Sequence, residues 1–128
     1  MEWVPNVQST GRAGEFLAAY ILEAHGVECH RVDRQGADLW CKRGDKITTV
    51  QVKTASESVV DKNCTVYRYN TKTRDAAWFC FVALDTRLML LRPAENVLTI
   101  STRIHQSTFT PANQGESVQH FISTLLSK

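Results

Sequence analysis

The chain has 128 residues, 43% of them apolar and 22% charged, and a formal net charge of +2. That length suits one domain, residues 1–128, and is too short for a second independent core. The charge permits nucleic-acid binding without demanding it, and no apolar run approaches the roughly 20 residues that span a bilayer.

The opening Met1-Glu2-Trp3-Val4 has no basic stretch leading into an apolar one. No secretory signal is therefore expected, and the expected location is the cytoplasm. After an arm holding Pro5 and Asn6, residues 11–26 carry helical periodicity. Ala13, Phe16, Leu17, Tyr20, Ile21 and Ala24 form an apolar stripe, with Ser9 or Thr10 as cap and Gly26 at the left-handed C-terminal position. Glu15 falls in the first turns, off the centre of the stripe.

The period then changes to two. Residues 27–32, 37–42 and 46–54 read as strands, separated by Gly36 and a tight turn at Arg43-Gly44-Asp45, which predicts an antiparallel meander. Residues 55–63 are polar and loop-like, and 64–69 suit a short strand. Residues 76–84 form the most hydrophobic strand and pair across Asp85-Thr86 with 87–92. A helical turn at 93–96, an extended or irregular stretch at 97–113 and an amphipathic helix at 114–127 complete the chain. In that helix Val118, Phe121, Ile122, Leu125 and Leu126 share a side. This order predicts an α/β (α+β) fold, a central mixed sheet flanked by helices.

The four cysteines, at 29, 41, 64 and 80, form no C-x-x-C pair, so a zinc motif is not expected. Cys80 reads as a small buried hydrophobe. The histidines at 25, 30, 105 and 120 show no ligand spacing.

The chemistry gathers on two strands. Side chains along a strand alternate faces, so Val50 and Val52 share the core side while Gln51 and Lys53 share the other, about 7 Å apart. Leu39 and Cys41 point inward, which turns Asp38 to the opposite side. The turn at 43–45 brings Asp38 level with residues 51–53. A carboxylate, a carboxamide oxygen and an ammonium then converge, and Glu15 supplies a second carboxylate from the helix.

Hard oxygen ligands of this kind hold Mg²⁺, which keeps several waters and reaches phosphate oxygens. A neighbouring lysine orients the attacking water or neutralises charge on the phosphorane. Residues 65–74 interleave Tyr67 and Tyr69 with Arg68, Lys72 and Arg74 and contain no acid. That pattern suits phosphate contacts with aromatic stacking, or equally an ordinary polar strand and loop. Arg12, Arg31 and Arg34 are further phosphate candidates.

The run Gly36-Ala37-Asp38-Leu39, with Gln51-Val52-Lys53 behind it, resembles the core of the PD-(D/E)XK nuclease superfamily. That group includes restriction endonucleases, archaeal Holliday junction resolvases and some homing endonucleases. Gly11-Arg12-Ala13-Gly14-Glu15 is similar to the start of the helix that supplies the family's extra glutamate. The hairpin from Trp78-Phe79-Cys80-Phe81 to Leu91-Arg92-Pro93 resembles small members of the group. The resemblance covers residues 10–97.

It implies a restriction-endonuclease-like core and an endodeoxyribonuclease that uses Mg²⁺, with Mn²⁺ as a substitute, to hydrolyse DNA. Glu15, Asp38, Gln51 and Lys53 are its implied catalytic residues, and Asp38, Gln51, Val52 and Glu15 its implied metal ligands. The expected partner is DNA. A homodimer is the natural unit for so small a chain to cut both strands, and such nucleases resemble cargo of a mobile element. One departure stands out. The family pattern has Asp or Glu where this chain has Gln51, although some members carry glutamine there. A neutral ligand predicts weaker metal affinity and a single-metal site. The alternative is a catalytically inactive nuclease-fold domain that binds DNA or serves a structural role.

Overall fold

A computed structural model describes residues 7–34, 37–72 and 75–128, and of residues 7, 8, 33, 34 and 37 the backbone alone. Helix α1 spans Val7–Ala24. It starts earlier than the periodicity implied, so Ser9 and Thr10 lie inside it and do not cap it, and Glu15 sits in its third turn. The end falls where glycine predicts it. Gly26 adopts φ 84, its N–H reaches Glu23 O at 3.0 Å, and the Val27 N–H reaches Leu22 O at 3.0 Å. Only glycine takes that left-handed position without a steric cost.

The buried face of α1 is Gly14, Ala18, Ile21 and Leu22. Phe16 and Tyr20, expected in the stripe, are 56% and 71% exposed. Gly14 explains the rotation. A Cβ at this position would collide with Thr54 Oγ1, so the helix backbone lies directly on the sheet and the small residues take the inner face.

Strands β1 (Glu28–Arg34), β2 (Ala37–Arg43) and β3 (Lys46–Ala55) form the expected antiparallel meander. The chain then leaves for the short β4 (Val59–Asp61) and β5 (Cys64–Thr71). It returns as β6 (Trp78–Ala83), parallel to β3, followed by β7 (Leu88–Pro93), antiparallel to β6. After a single 3-10 turn at Ala94–Asn96 comes β8 (Ile100–His105), in a stretch read as extended or irregular. Helix α2 (Pro111–Leu126) starts ahead of expectation because Thr110 caps it, accepting the Asn113 N–H at 3.1 Å, and Pro111 supplies the first turn. Leu126, expected among its apolar positions, is 49% exposed.

The result is a mixed five-stranded sheet, β1-β2-β3-β6-β7, and a three-stranded antiparallel sheet, β4-β5-β8. Both helices pack on one face of the larger sheet, where Val50, Val52, Cys80 and Val82 meet Leu22 and Phe121. The smaller sheet covers the other face, where Phe79, Phe81 and Leu90 meet Tyr67, Tyr69 and Ile104. Alternation along β3 puts Gln51 on the side away from Val50 and Val52, where solvent would be expected. That face is instead covered by the second core, and Gln51 is 7% exposed. Among the described residues no helix is long and apolar enough to cross a membrane.

Candidate active site

Leu39 lies level with Val50 in the β2–β3 pairing, which brings Asp38, one residue further, level with Gln51. Asp38 Oδ2 accepts the Val52 N–H at 2.7 Å, so the carboxylate is anchored on the backbone of β3. Glu15 reaches the same place from α1. Its position is fixed by the Gly14–Thr54 contact and by Arg31, whose Nη2 and Nε lie 3.0 Å and 3.1 Å from Glu15 Oε1. The Arg31 guanidinium also stacks over Phe16, 4.4 Å from the ring centroid. The structure thus brings together Glu15, Asp38, Gln51 and Lys53 at the end of β3. A cleft of about 630 Å³ opens beside Lys53, lined also by Thr10 and Gly11 of α1, Glu57, Val59 and Arg68; Glu15, Asp38 and Gln51 do not line it.

The electrostatics follow from partial burial. Burial raises the Asp38 pKa, against the Val52 N–H, Lys53 and Arg31, which lower it. Burial also raises Glu15; the Arg31 bond opposes the shift and the Asp38 charge adds to it. Lys53 is pushed down by burial and back up by Asp38. Asp38 therefore acts on both Glu15 and Lys53, and among the described residues no carboxylate forms an ion pair with Lys53.

Gln51 Oε1 is buried and, among the described residues, has no hydrogen-bond partner; Thr48 Oγ1 and Thr54 Oγ1 share this property. A buried polar atom left unpaired costs about 1–3 kcal/mol. Thr54 is accounted for by its packing on Gly14, whereas Gln51 Oε1 is a free carbonyl oxygen beside a carboxylate. Among the described residues no three His, Cys, Asp or Glu side chains are grouped to hold a metal. The donors are therefore two carboxylates and one amide oxygen. Val52 has its side chain in the helix-side core and its N–H on Asp38, so it offers only its carbonyl. This all-oxygen set fits a hard cation that retains water, and does not suit zinc.

The candidate phosphate contacts divide. Arg12 is exposed beside Glu15, whose pKa it lowers. Arg31 is committed to Glu15, and Arg68 and Lys72 are exposed. The side chain of Arg34, and Arg74 altogether, lie outside the described residues. Tyr67 is corrected. It is fully buried and its hydroxyl donates to Asp85 Oδ1 at 2.7 Å, so no ring face is offered to a base. Tyr69 is likewise buried, donating to Val82 O at 3.0 Å. The sequence reading missed Asp61 and Arg103. Asp61 Oδ2 lies 2.7 Å from Arg68 Nη2 and 3.1 Å from Arg103 Nε. The alternation of Thr102 and Ile104 inward around an outward Arg103 was the signal available for β8.

The architecture, a mixed sheet flanked by helices, is one that a solved structure shares. The solved structure of a bacterial homing endonuclease, I-Ssp6803I, matches it with a TM-score of 0.73 over 97% of this chain and 96% of that chain, at 15% sequence identity. No protein-family model matches the sequence, and no curated protein sequence does. At that identity the likeness is one of fold. It extends past residues 10–97, where the sequence resemblance ends, to the closing helix.

Proposed function

We propose that the protein is a Mg²⁺-dependent endodeoxyribonuclease of the PD-(D/E)XK type. The observation that carries this reading is the buried, unpartnered Gln51 Oε1, on the β3 residue level with Asp38, in a fold shared with a homing endonuclease. Asp38, Gln51, the Val52 carbonyl and Glu15 are the groups that would hold the ion. Mg²⁺ at this place would supply Lewis-acid polarisation of the phosphate and a more acidic water. Mn²⁺ substitutes.

Lys53 Nζ holds the attacking water or stabilises negative charge on the phosphorane. Burial lowers its pKa, which makes its proton easier to release than that of an exposed lysine. Arg31 keeps Glu15 oriented. Arg12, Arg68 and Lys72 hold DNA phosphates. A homodimer in the cytoplasm, cutting both strands, is the working form.

A second reading has its own observation. Position 51 carries no carboxylate and Arg31 already neutralises Glu15, as in a nuclease fold that binds DNA without cutting it. Supercoiled plasmid, branched DNA and single strands incubated with Mg²⁺ or Mn²⁺ separate the two. Nicked or linear product is expected from the wild type and none from Asp38→Asn. Divalent ions should also raise the melting temperature of the wild type and leave Asp38→Asn unchanged. Equal responses would place the metal elsewhere, and DNA binding without cleavage of any substrate would establish the second reading.

A further inference from the structure

The outer face of the smaller sheet carries an arrangement that the active site does not use. Arg68 and Arg103 stand directly opposite each other in the β5–β8 pairing. Like charges in that position repel and weaken a sheet. Here one carboxylate oxygen, Asp61 Oδ2, takes both guanidiniums, at 2.7 Å and 3.1 Å. Asp61 is held in place by the β4–β5 hairpin, whose two-residue turn, Lys62-Asn63, has φ 51 and φ 66, the geometry of a tight primed turn. Its side chain is 15% exposed, whereas those of Arg68 and Arg103 are 60% and 42% exposed.

Two arginines and Lys62 against one aspartate leave this face net positive. Arg68 also links two clefts. It lines the one that holds Lys53, and a neighbouring cleft of about 430 Å³ lined by Asp61, Lys62, Ser101, Thr102 and Arg103. A polyanion running from Lys53 along this surface meets Arg68 first and Arg103 next.

We infer that Arg68 and Arg103 form a second phosphate site for the DNA strand leaving the active site, and that Asp61 occupies it in the free protein as an internal stand-in for the phosphodiester. A carboxylate oxygen shared by two guanidiniums has the charge and hydrogen-bond chemistry of a phosphate oxygen. DNA entering the site displaces Asp61 and takes its donors. This rests on the proposed nuclease function and adds an intramolecular competitor to it. The competitor weakens non-specific binding, so that only a strand also engaged at Lys53 dislodges it.

The consequence is opposite for the two signs of charge. Binding of a labelled DNA duplex, followed by fluorescence anisotropy in Ca²⁺ across a salt series, tests it. Asp61→Asn should bind several-fold more tightly and steepen the dependence of log K on log salt by about one charge; Arg103→Ala should weaken binding several-fold and flatten it by about one. If Asp61→Asn melts early, the exposed Arg103→Ala decides alone. Should the wild type bind and cut DNA while these variants bind as it does, the latch is wrong and the nuclease stands. Should the wild type neither bind nor cut, both fall.

Discussion

At Asp38, Glu15 and Lys53, burial works against the charged form of each side chain. The folded Asp38 carboxyl titrates above its ordinary value of 3.8, so between those two pKa values the native protein binds more protons than the unfolded chain. The contribution of Asp38 to stability without metal is then fully present below 3.8 and is lost as pH rises through the folded value. Asp38→Asn, which keeps an oxygen acceptor for the Val52 N–H, should raise the melting temperature of the metal-free protein at pH 7, and the gain should shrink as the pH approaches 3.8. A variant less stable than wild type at neutral pH would mean that the Val52 bond outweighs burial. Gln51→Glu tests the neighbouring position. It should tighten Mg²⁺ binding by adding an anionic ligand, and lower metal-free stability by adding a third carboxylate to the cluster.

Among the elements, the contact of α1 with β3 places the helix-borne carboxylate. Gly14 leaves no room for a Cβ against Thr54, so Gly14→Ala should force the helix outward. Overpacking of this kind costs about 1–3 kcal/mol, read as a fall in melting temperature, and should reduce cleavage because Glu15 moves with the helix. A variant as stable and active as wild type would show that α1 adapts without disturbing the site. The same contact marks where sequence patterning ran out. Hydropathy chose Phe16 and Tyr20 for the buried stripe, while close approach of the helix backbone to the Thr54 side chain selects Gly14, and hydropathy does not register that. The meander, the hairpin of β6 and β7 and the placing of Asp38 beside Gln51 and Lys53 were legible, because they depend on period and turn chemistry within a short span. The smaller sheet was not. Its strands pair β5 with β8 across some thirty residues, and β8 buries Thr102 against Thr71, their hydroxyls 3.3 Å apart, where an apolar residue would have announced a strand.

On the scale of the whole molecule, the two cores meet across the larger sheet and divide the labour. The helix-covered side anchors Glu15, β2 and β3 set Asp38 level with Gln51, and Lys53 lines the cleft. The side covered by the smaller sheet carries the exposed cations, with Tyr67 and Tyr69 given over to packing and backbone support. Catalysis and strand holding should therefore separate on mutation. Lys53→Ala removes an interaction realised in the transition state, so turnover should drop by orders of magnitude while DNA affinity measured in Ca²⁺ stays close to wild type. Arg68→Ala should do the reverse, weakening binding and flattening its salt dependence by about one charge with turnover at saturating DNA largely kept. Both variants belong on one substrate, with single-turnover cleavage in Mg²⁺ set beside equilibrium binding in Ca²⁺. If Lys53→Ala lowers affinity and turnover in parallel, Lys53 is a phosphate anchor, and the chemistry must be reassigned to Asp38.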